Sequence, residues 1–221
     1  MKEGNSSDLI VNGMGNFSGG TYRNIEINGT GSIRGDVECE EFECSGMAKV
    51  TGNLKAGAMT ADGMSKFDGN VECGKLRVDG TLGISHSLKA DEVELDGMVN
   101  VKGDLTAESF KSSGSFTVGG LLNAETIDIG MEMRCQAGEI GGEDIKVHMD
   151  RAGIGMWGKP AGLTAGTIEG DNIYLEYTCA KVVRGGSVNI GPGCRIELAE
   201  YKDSFTKADD AVVKECKKII S

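Results

Sequence analysis

Apolar residues recur along this chain at a fixed period. A glycine starts each repeat and returns at every seventeenth position, at Gly29, Gly46, Gly63, Gly80, Gly97 and Gly114. Large apolar residues follow four, eight and thirteen positions after each glycine, and in the second repeat they are Val50, Leu54 and Met59. A fixed period of this length is typical of a solenoid, in which each repeat buries its apolar face against its neighbours.

Within each repeat the apolar residues are spaced two apart, as side chains are on one face of a β-strand. Val37 is spaced in this way from Cys39, and Phe42 from Cys44. Gly-Asp, Gly-Asn and Asp-Gly dipeptides separate the apolar pairs. We expect the glycines to supply positive φ angles at closely spaced turns. The pattern therefore predicts an all-β chain, with three short strands and three bends in each coil of about 17 residues.

Charged residues at one outward position alternate in sign from coil to coil, as Glu38, Lys55, Glu72 and Lys89. Neighbouring coils of a parallel solenoid stack about 4.8 Å apart, so these side chains are expected to pair across the strands. A slip of one residue would lose those pairs and turn the apolar column outward.

The period loosens towards the end of the chain. The sequence predicts an N-terminal tail over 1–11, regular coils over 12–130 and a less regular section over 131–200, which a loop or bulge near Trp157 and Pro160 interrupts. Apolar residues at positions 212, 213, 216, 219 and 220 have helical spacing, so a short amphipathic helix or a tail is expected over 201–221.

Composition narrows the possible partners and compartment. The formal net charge of −11 would repel phosphate backbones, which argues against nucleic acid as a partner. Seven cysteines are an odd number, and the chain begins without a signal-peptide pattern, so we expect a cytoplasmic protein with reduced thiols. Cys39 and Cys73 fall in a column that alanine occupies in other coils, and they are expected to be small buried hydrophobes.

Catalytic chemistry finds little support in the sequence. The two histidines, His86 and His148, are expected at a corner and on an outward face, and three converging histidines would be needed for a zinc site between coils. We therefore predict no enzyme activity, no cofactor and no metal. The alternatives are an acyltransferase with hexapeptide-repeat coils, which would use a catalytic histidine in a protruding loop, and a secreted adhesin with a β-helix stalk.

Both ends of the chain resemble one known family. The segment DLIVNGMGNFSGGTYRNIEINGTGSIRGDVECEEFECSG, followed by repeats of the form G-x-x-x-V-x-G-x-L-x-A, is similar to the bactofilins, or polymer-forming cytoskeletal proteins. The segment VVRGGSVNIGPGCRIELAEYKDSF resembles the C-terminal section of the longer, two-section members. The resemblance implies a right-handed parallel β-helix in a bacterial cytoskeletal scaffold that assembles end to end into filaments without nucleotide.

The resemblance also bears on partners and location. It implies a homopolymer, or a copolymer with a related bactofilin subunit, in the cytoplasm or at the inner face of the membrane. Some bactofilins bind the membrane through an apolar N-terminal tail, whereas this tail opens with Lys2, Glu3 and Asn5, so membrane association stays open. An open solenoid end lacks a neighbouring coil. We therefore expect the polymerisation faces at Phe17, Ile25 and Ile27 and at Ile196, Leu198 and Tyr201.

Overall fold

The computed structural model describes residues 7–149 and 162–219, and every regular element in these ranges is a β-strand. The chain divides into two compact units, Met1–Gly103 and Asp104–Ser221. The first unit contains β1 (Leu9–Val11), β2 (Met14–Thr21), β3 (Asn24–Ile27), β4 (Thr30–Cys44), β5 (Met47–Val50), β6 (Leu54–Ala61), β7 (Met64–Phe67), β8 (Val71–Val78), β9 (Thr81–Ile84), β10 (Leu88–Leu95) and β11 (Met98–Val101). The second contains β12 (Leu105–Ser112), β13 (Ser115–Gly130), β14 (Arg134–His148), β15 (Gly162–Leu175), β16 (Thr178–Ile190), β17 (Arg195–Lys207) and β18 (Val212–Lys218).

Parallel pairing between successive coils confirms the predicted solenoid. The described residues form about 12 coils with a spacing of about 17 residues. In the first unit Val50 pairs with Phe67, Leu54 with Val71, and Met59 with Leu76. These side chains fill the interior of the coils, and none is more than 1% exposed. The hydrophobic core is thus a set of stacked apolar columns, one for each inward position of the repeat.

The three predicted strands per coil merge into two. In the first unit a four-residue strand such as β5 alternates with an eight-residue strand such as β6. Inward residues alternate along β6 except at Gly57 and Ala58, which are both turned away from the core. The chain therefore bends inside β6 while its ladder of hydrogen bonds continues, so one of the three expected corners leaves no break between strands.

We expected the recurrent glycines to be turn residues with positive φ, and this expectation is wrong. Among the described residues, positive φ angles occur only at Gly20, Gly35, Gly193 and Tyr177. The glycines that start the repeats instead lie where the backbones of adjacent coils approach too closely for a side chain, as at Gly63. Their role is close packing of coil on coil rather than a left-handed turn.

The alternating charges occupy the predicted register without forming the expected ion pairs. Lys55 lies beside Glu38 on one coil and Glu72 on the other. Among the described residues, however, the salt bridges of this unit join other side chains, such as Lys75 and Glu92 at 3.0 Å. The register is instead supported by the buried columns and by hydrogen-bonded polar side chains at one corner.

That corner carries a ladder of amides along the stack. The backbone N–H and Nδ2 of Asn53 donate to Asp36 Oδ1 at 2.7 and 3.0 Å. One coil later, the backbone N–H of Asn70 donates to Asn53 Oδ1 at 2.9 Å, and that of Ser87 donates to Asn70 Oδ1 at 3.1 Å. Each side chain thereby satisfies a backbone group that the bend leaves without a partner in the sheet.

The second unit is less regular than the first. Ile127 pairs with Ile145, so this coil is one residue longer than the regular repeat. Ile173 pairs with Val188, so that coil is two residues shorter. Between them, Ile145 pairs with Ile173, which makes the intervening coil much longer than either neighbour. The loop or bulge predicted near Trp157 and Pro160 falls inside this long coil but lies outside the described residues.

The helix predicted within residues 201–221 is wrong. β17 extends to Lys207, and β18 follows as a seven-residue parallel strand. Val213 of β18 pairs with Ile196, and Cys216 with Ala199, which keeps the interval of the regular coils. Pairing with an open strand edge satisfies the backbone of these residues along β17, whereas a helix would leave that edge uncovered.

Candidate assembly surfaces

The N-terminal end of the first unit is an open strand edge. Among the described strands, β1 pairs with β3 alone and β2 with β4 alone, so their other edges lack a neighbour. Arg23 fixes this coil by donating from Nε and Nη2 to the two Asp8 carboxylate oxygens at 2.9 and 2.6 Å. These hydrogen bonds lower the pKa of Asp8. The backbone N–H of Arg23 also donates to the carbonyl oxygen of Ser7, so the coil already begins within the predicted tail.

Two of the three predicted N-terminal face residues are covered. Ile25 and Ile27 pair with Leu9 and Val11 of β1 and are 1% and 0% exposed. The prediction that they form the open face is wrong because β1 adds a strand in front of them. Phe17 is half-buried at the end of its column, and its ring lies over Gly15, where an added Cβ would be 2.6 Å from Phe17 Cζ.

The C-terminal end is formed by β18 and by the last part of β17. Ile196 is buried beneath Val213 of β18, so its predicted place on the open face is also wrong. Leu198 and Tyr201 are half-buried, and they pair with Glu215 and Lys218 respectively. Among the described strands β18 pairs with β17 alone, so its outer edge is open.

Two aromatic rings stack at this end. The centroids of Tyr201 and Phe205 are 5.5 Å apart and their planes differ by 28°. Phe205 is half-buried and pairs with Val188 of β16. Beyond the end of β18, the backbone N–H of Ile219 donates to the Tyr201 carbonyl oxygen at 2.8 Å. The rings therefore provide apolar area at the second open end.

The two ends differ in charge. The three residues of β1 are apolar, whereas β18 contains Lys214, Glu215, Lys217 and Lys218. Lys214 and Glu197 form a salt bridge of 3.0 Å, as do Lys217 and Glu215. Charged residues, and lysine above all, are a common protection of an exposed strand edge. Neither β1 nor β2 contains a charged residue, so these two strands of the N-terminal edge lack that protection.

Sequence reasoning missed Leu9, Val213, Phe205 and Cys216 as residues of the open ends. The signal was the repeat itself, because Val213 follows Ile196, and Cys216 follows Ala199, by the same interval as in the regular coils. No comparable signal identifies Leu9, since the first interval, from Leu9 to Ile25, is shorter than the regular repeat.

The histidines lie where they were expected. His86 is exposed at a corner, where its Nδ1 is 2.9 Å from the Asp68 carbonyl oxygen. His148 is at the end of β14, with Nδ1 3.2 Å from Asp128 Oδ1. In residues 7–149 and 162–219, no cluster of three or more histidine, cysteine, aspartate or glutamate side chains could hold a metal ion. Over the same ranges, no helical segment has the length and apolar character needed to cross a membrane.

The seven cysteines are all unpaired by disulfides, and five of them are buried. Cys39 and Cys73 lie in one column with Ala56 between them, as predicted. Burial raises the pKa of each of these two thiols to about 12. Both are therefore protonated, unreactive parts of the core at neutral pH. Cys179 and Cys216 are exposed.

The described residues thus define a parallel β-solenoid protein with an open strand edge at each end. Over 64 residues, the chain is 48% identical to the uncharacterized protein YhbF of Bacillus subtilis (strain 168), and the aligned segment covers 29% of this chain and 26% of YhbF. Over 34 residues, it is 53% identical to the uncharacterized protein YhbE of the same organism, and this aligned segment covers 15% of this chain and 14% of YhbE. The matches span about a quarter or less of these relatives. No protein-family model and no solved structure matches the chain.

Proposed function

We propose that the chain is a structural protein that assembles end to end into filaments, as a cytoskeletal scaffold of the bactofilin type. The observation that carries the proposal is the open strand edge at each end, formed by β1 and β2 in the first unit and by β18 in the second. An open edge presents unpaired N–H and C=O groups to another chain, and β1 and β2 contain none of the charged residues that protect β18.

Apolar residues at both edges support the same proposal. Leu9 and Phe17 are half-buried at the N-terminal end, and Tyr201, Phe205 and Val213 are half-buried at the C-terminal end. Continuing the sheet across a joint would pair the free backbone groups and would bury these side chains together. Both gains use edge strands that are already formed in the single chain, so assembly is expected to need no nucleotide, metal or enzymatic step.

Negative-stain electron microscopy of the purified chain tests the proposal directly. We expect filaments in buffer alone, at the same protein concentration and in the same yield with ATP, with GTP and with EDTA. Light scattering over time supplies the yield. Discrete particles that stay short at high concentration, or assembly that requires nucleotide, would contradict it. We also propose a cytoplasmic location, which is tested separately by fractionating cells that produce the tagged chain.

A further inference from the structure

One outward face of the first unit carries a row of exposed methionines. Successive coils bring six residues into one ladder: Met14, Thr30, Met47, Met64, Thr81 and Met98. The four methionines are between 51% and 88% exposed. A ladder of six coils spans roughly 24 Å at about 4.8 Å per coil. We call these six residues the methionine ladder. Exposed apolar residues in one row mark an interaction surface rather than scattered surface residues.

The order of residues in the methionine ladder is the same from either end. A neighbouring ladder on the same face, two residues further along each strand, has a similar symmetry, with Asn16, Ser32, Lys49, Lys66, Gly83 and Asn100. Asparagines lie at its two ends, small residues come next, and the lysines lie in the middle. A two-fold rotation that reverses the methionine ladder places methionine opposite methionine and threonine opposite threonine in a second copy.

We propose that the methionine ladder is a pairing surface for a second copy of the chain, which lies antiparallel to the first. The two-fold axis would run along the strand direction, between the coils of Met47 and Met64. Met14 of one copy would then face Met98 of the other, Thr30 would face Thr81, and Met47 would face Met64. Methionine is unbranched and polarizable, so two such rows can interdigitate and still adapt to each other.

Charge on this face leaves the methionine ladder accessible to a second copy. Lys49 and Lys66 are held beside Asp68, with N–O distances of 3.7 and 3.6 Å. The lysines therefore lean towards the Asp68 corner and leave the methionines unobstructed. The net charge of −11 repels an anionic membrane and a second copy alike, so the matching order of the methionine ladder, rather than charge, identifies a second copy as the partner. In an antiparallel pair the lysines of the two copies face each other, so salt should strengthen pairing by screening that repulsion.

The paired surface is small, because the ladder contributes six residues whereas each partner in a standard interface contributes roughly 20–30. We expect single copies to pair weakly. Copies that are joined end to end would present many such ladders in a row, and their contacts would then reinforce one another. This last step rests on the proposed filament, whereas the pairing itself does not.

Crosslinking distinguishes the antiparallel pair from other arrangements. In a Cys179→Ser, Cys216→Ser background, which removes both exposed thiols, Met14→Cys and Met98→Cys are made as separate chains of different tag length. Packed sheets lie about 10 Å apart, too far for a disulfide, so a short bis-maleimide is used. We expect a Met14–Met98 product in the mixture and no Met98–Met98 product. A Met98–Met98 product, or no product in the mixture, overturns the proposal.

Two further arms test the nature of the contact. Adding Met47→Glu and Met64→Glu should reduce the crosslinked product at least tenfold, whereas Thr106→Glu, an exposed position in the second unit, should leave it unchanged. The yield of the crosslinked product should rise as salt is raised from about 50 to about 500 mM, because salt screens the repulsion between the lysines of the two copies over roughly 10 Å or less. Binding to anionic vesicles that salt abolishes and that the two glutamates prevent would assign the ladder to a membrane and overturn the pairing. Filaments without the crosslinked product would contradict the antiparallel pair and leave the proposed end-to-end assembly intact. The crosslinked product without filaments would support the antiparallel pair and contradict end-to-end assembly.

Discussion

A Cβ atom placed on Gly46 would lie 2.0 Å from the carbonyl oxygen of Gly29, the equivalent residue one coil earlier. The same clash recurs along the stack at Gly63, Gly80 and Gly97, where the distance is between 2.0 and 2.1 Å. Real Cβ atoms do not approach a backbone oxygen so closely, and a backbone atom cannot rotate away as a flexible side chain can. The strict period of glycine therefore follows from the distance between coils at this corner.

Gly63→Ala should destabilise the first unit. The new methyl group would force two coils apart where Met64 donates its backbone N–H to the Gly46 carbonyl oxygen at 2.8 Å. We expect a loss of about 2–4 kcal/mol in the free energy of unfolding, as for other strained or overpacked sites. Gly83→Ala is the matched control, because its Cβ would meet no atom within 4 Å. Urea unfolding followed by circular dichroism measures both, and equal losses would show that the close approach is unimportant.

Val101→Asp should prevent folding of the first unit. Val101 is 0% exposed and continues the column of Ile84, so a carboxylate there has no route to water. The cost of burying an unpaired charge is several kcal/mol, comparable with the roughly 5–15 kcal/mol of a whole domain. Asn100→Asp adds the same charge at the neighbouring exposed position and should leave the fold intact. A soluble Val101→Asp protein with an unchanged β-type circular dichroism spectrum would contradict the assigned core.

Sequence could predict the coil because the inward columns are a consequence of periodicity alone. The pairing of Val50 with Phe67 could be predicted without knowing any contact, because both residues occupy the same position of the repeat. A polar residue at that position would interrupt the apolar column. Side-chain geometry was less accessible. Lys55 lies in the expected register, yet Asp68 attracts Lys49 and Lys66 on another face, and no pattern of single residues specifies which partner a flexible lysine selects.

The ends were harder to predict because an end has no periodic signal of its own. The residues of β18 fit a helical spacing and a continuation of the repeat equally well, and only the open edge of β17 favours the strand. At the other end, the short run Leu9–Val11 covers Ile25 and Ile27, which were expected at the terminus as long as residues 1–11 were interpreted as a tail. Both errors have the same physical origin, which is that an edge strand is stabilised by its neighbour rather than by its own sequence.

Cys73→Ala should make the protein less sensitive to alkali. Burial, reinforced by the carboxylates of Asp91 and Glu72, raises the pKa of Cys73 from 9.0 to about 12. Between these values the unfolded thiol ionises while the folded thiol does not, so the folded state binds more protons and stability falls as pH rises. The full effect for one such thiol is about 1.4 kcal/mol per pH unit. Ala56 and Ala90 on either side show that alanine fits this column.

Urea unfolding at several pH values from 7.5 to 10.5 checks this prediction. The wild-type chain should lose more stability above pH 9 than Cys73→Ala, so the difference between the two free energies of unfolding should change steadily with pH (on the order of 1 kcal/mol per unit). Thr106→Ala changes an exposed position without a titratable group and should follow the wild type. Parallel curves for wild type and Cys73→Ala would show that this thiol is not protected from ionisation by burial.

Phe17→Lys should separate folding from filament formation. Among the described residues, Phe17 ends the column of Ile33 and is half-buried at the edge that β2 leaves open, so the stem of a lysine can cover Ile33 while its ammonium group reaches water. In a joint between two chains the same ammonium group would be enclosed without a partner, at a cost of several kcal/mol. We expect a folded chain that no longer elongates.

Ser18→Lys places the same charge at the next, outward-facing residue and should still form filaments. Sedimentation reports the polymer and circular dichroism reports the fold in one sample. Filaments of normal length from a folded Phe17→Lys protein would exclude this edge from the joint, and the contacts would then have to involve β18 or the sides of the solenoid.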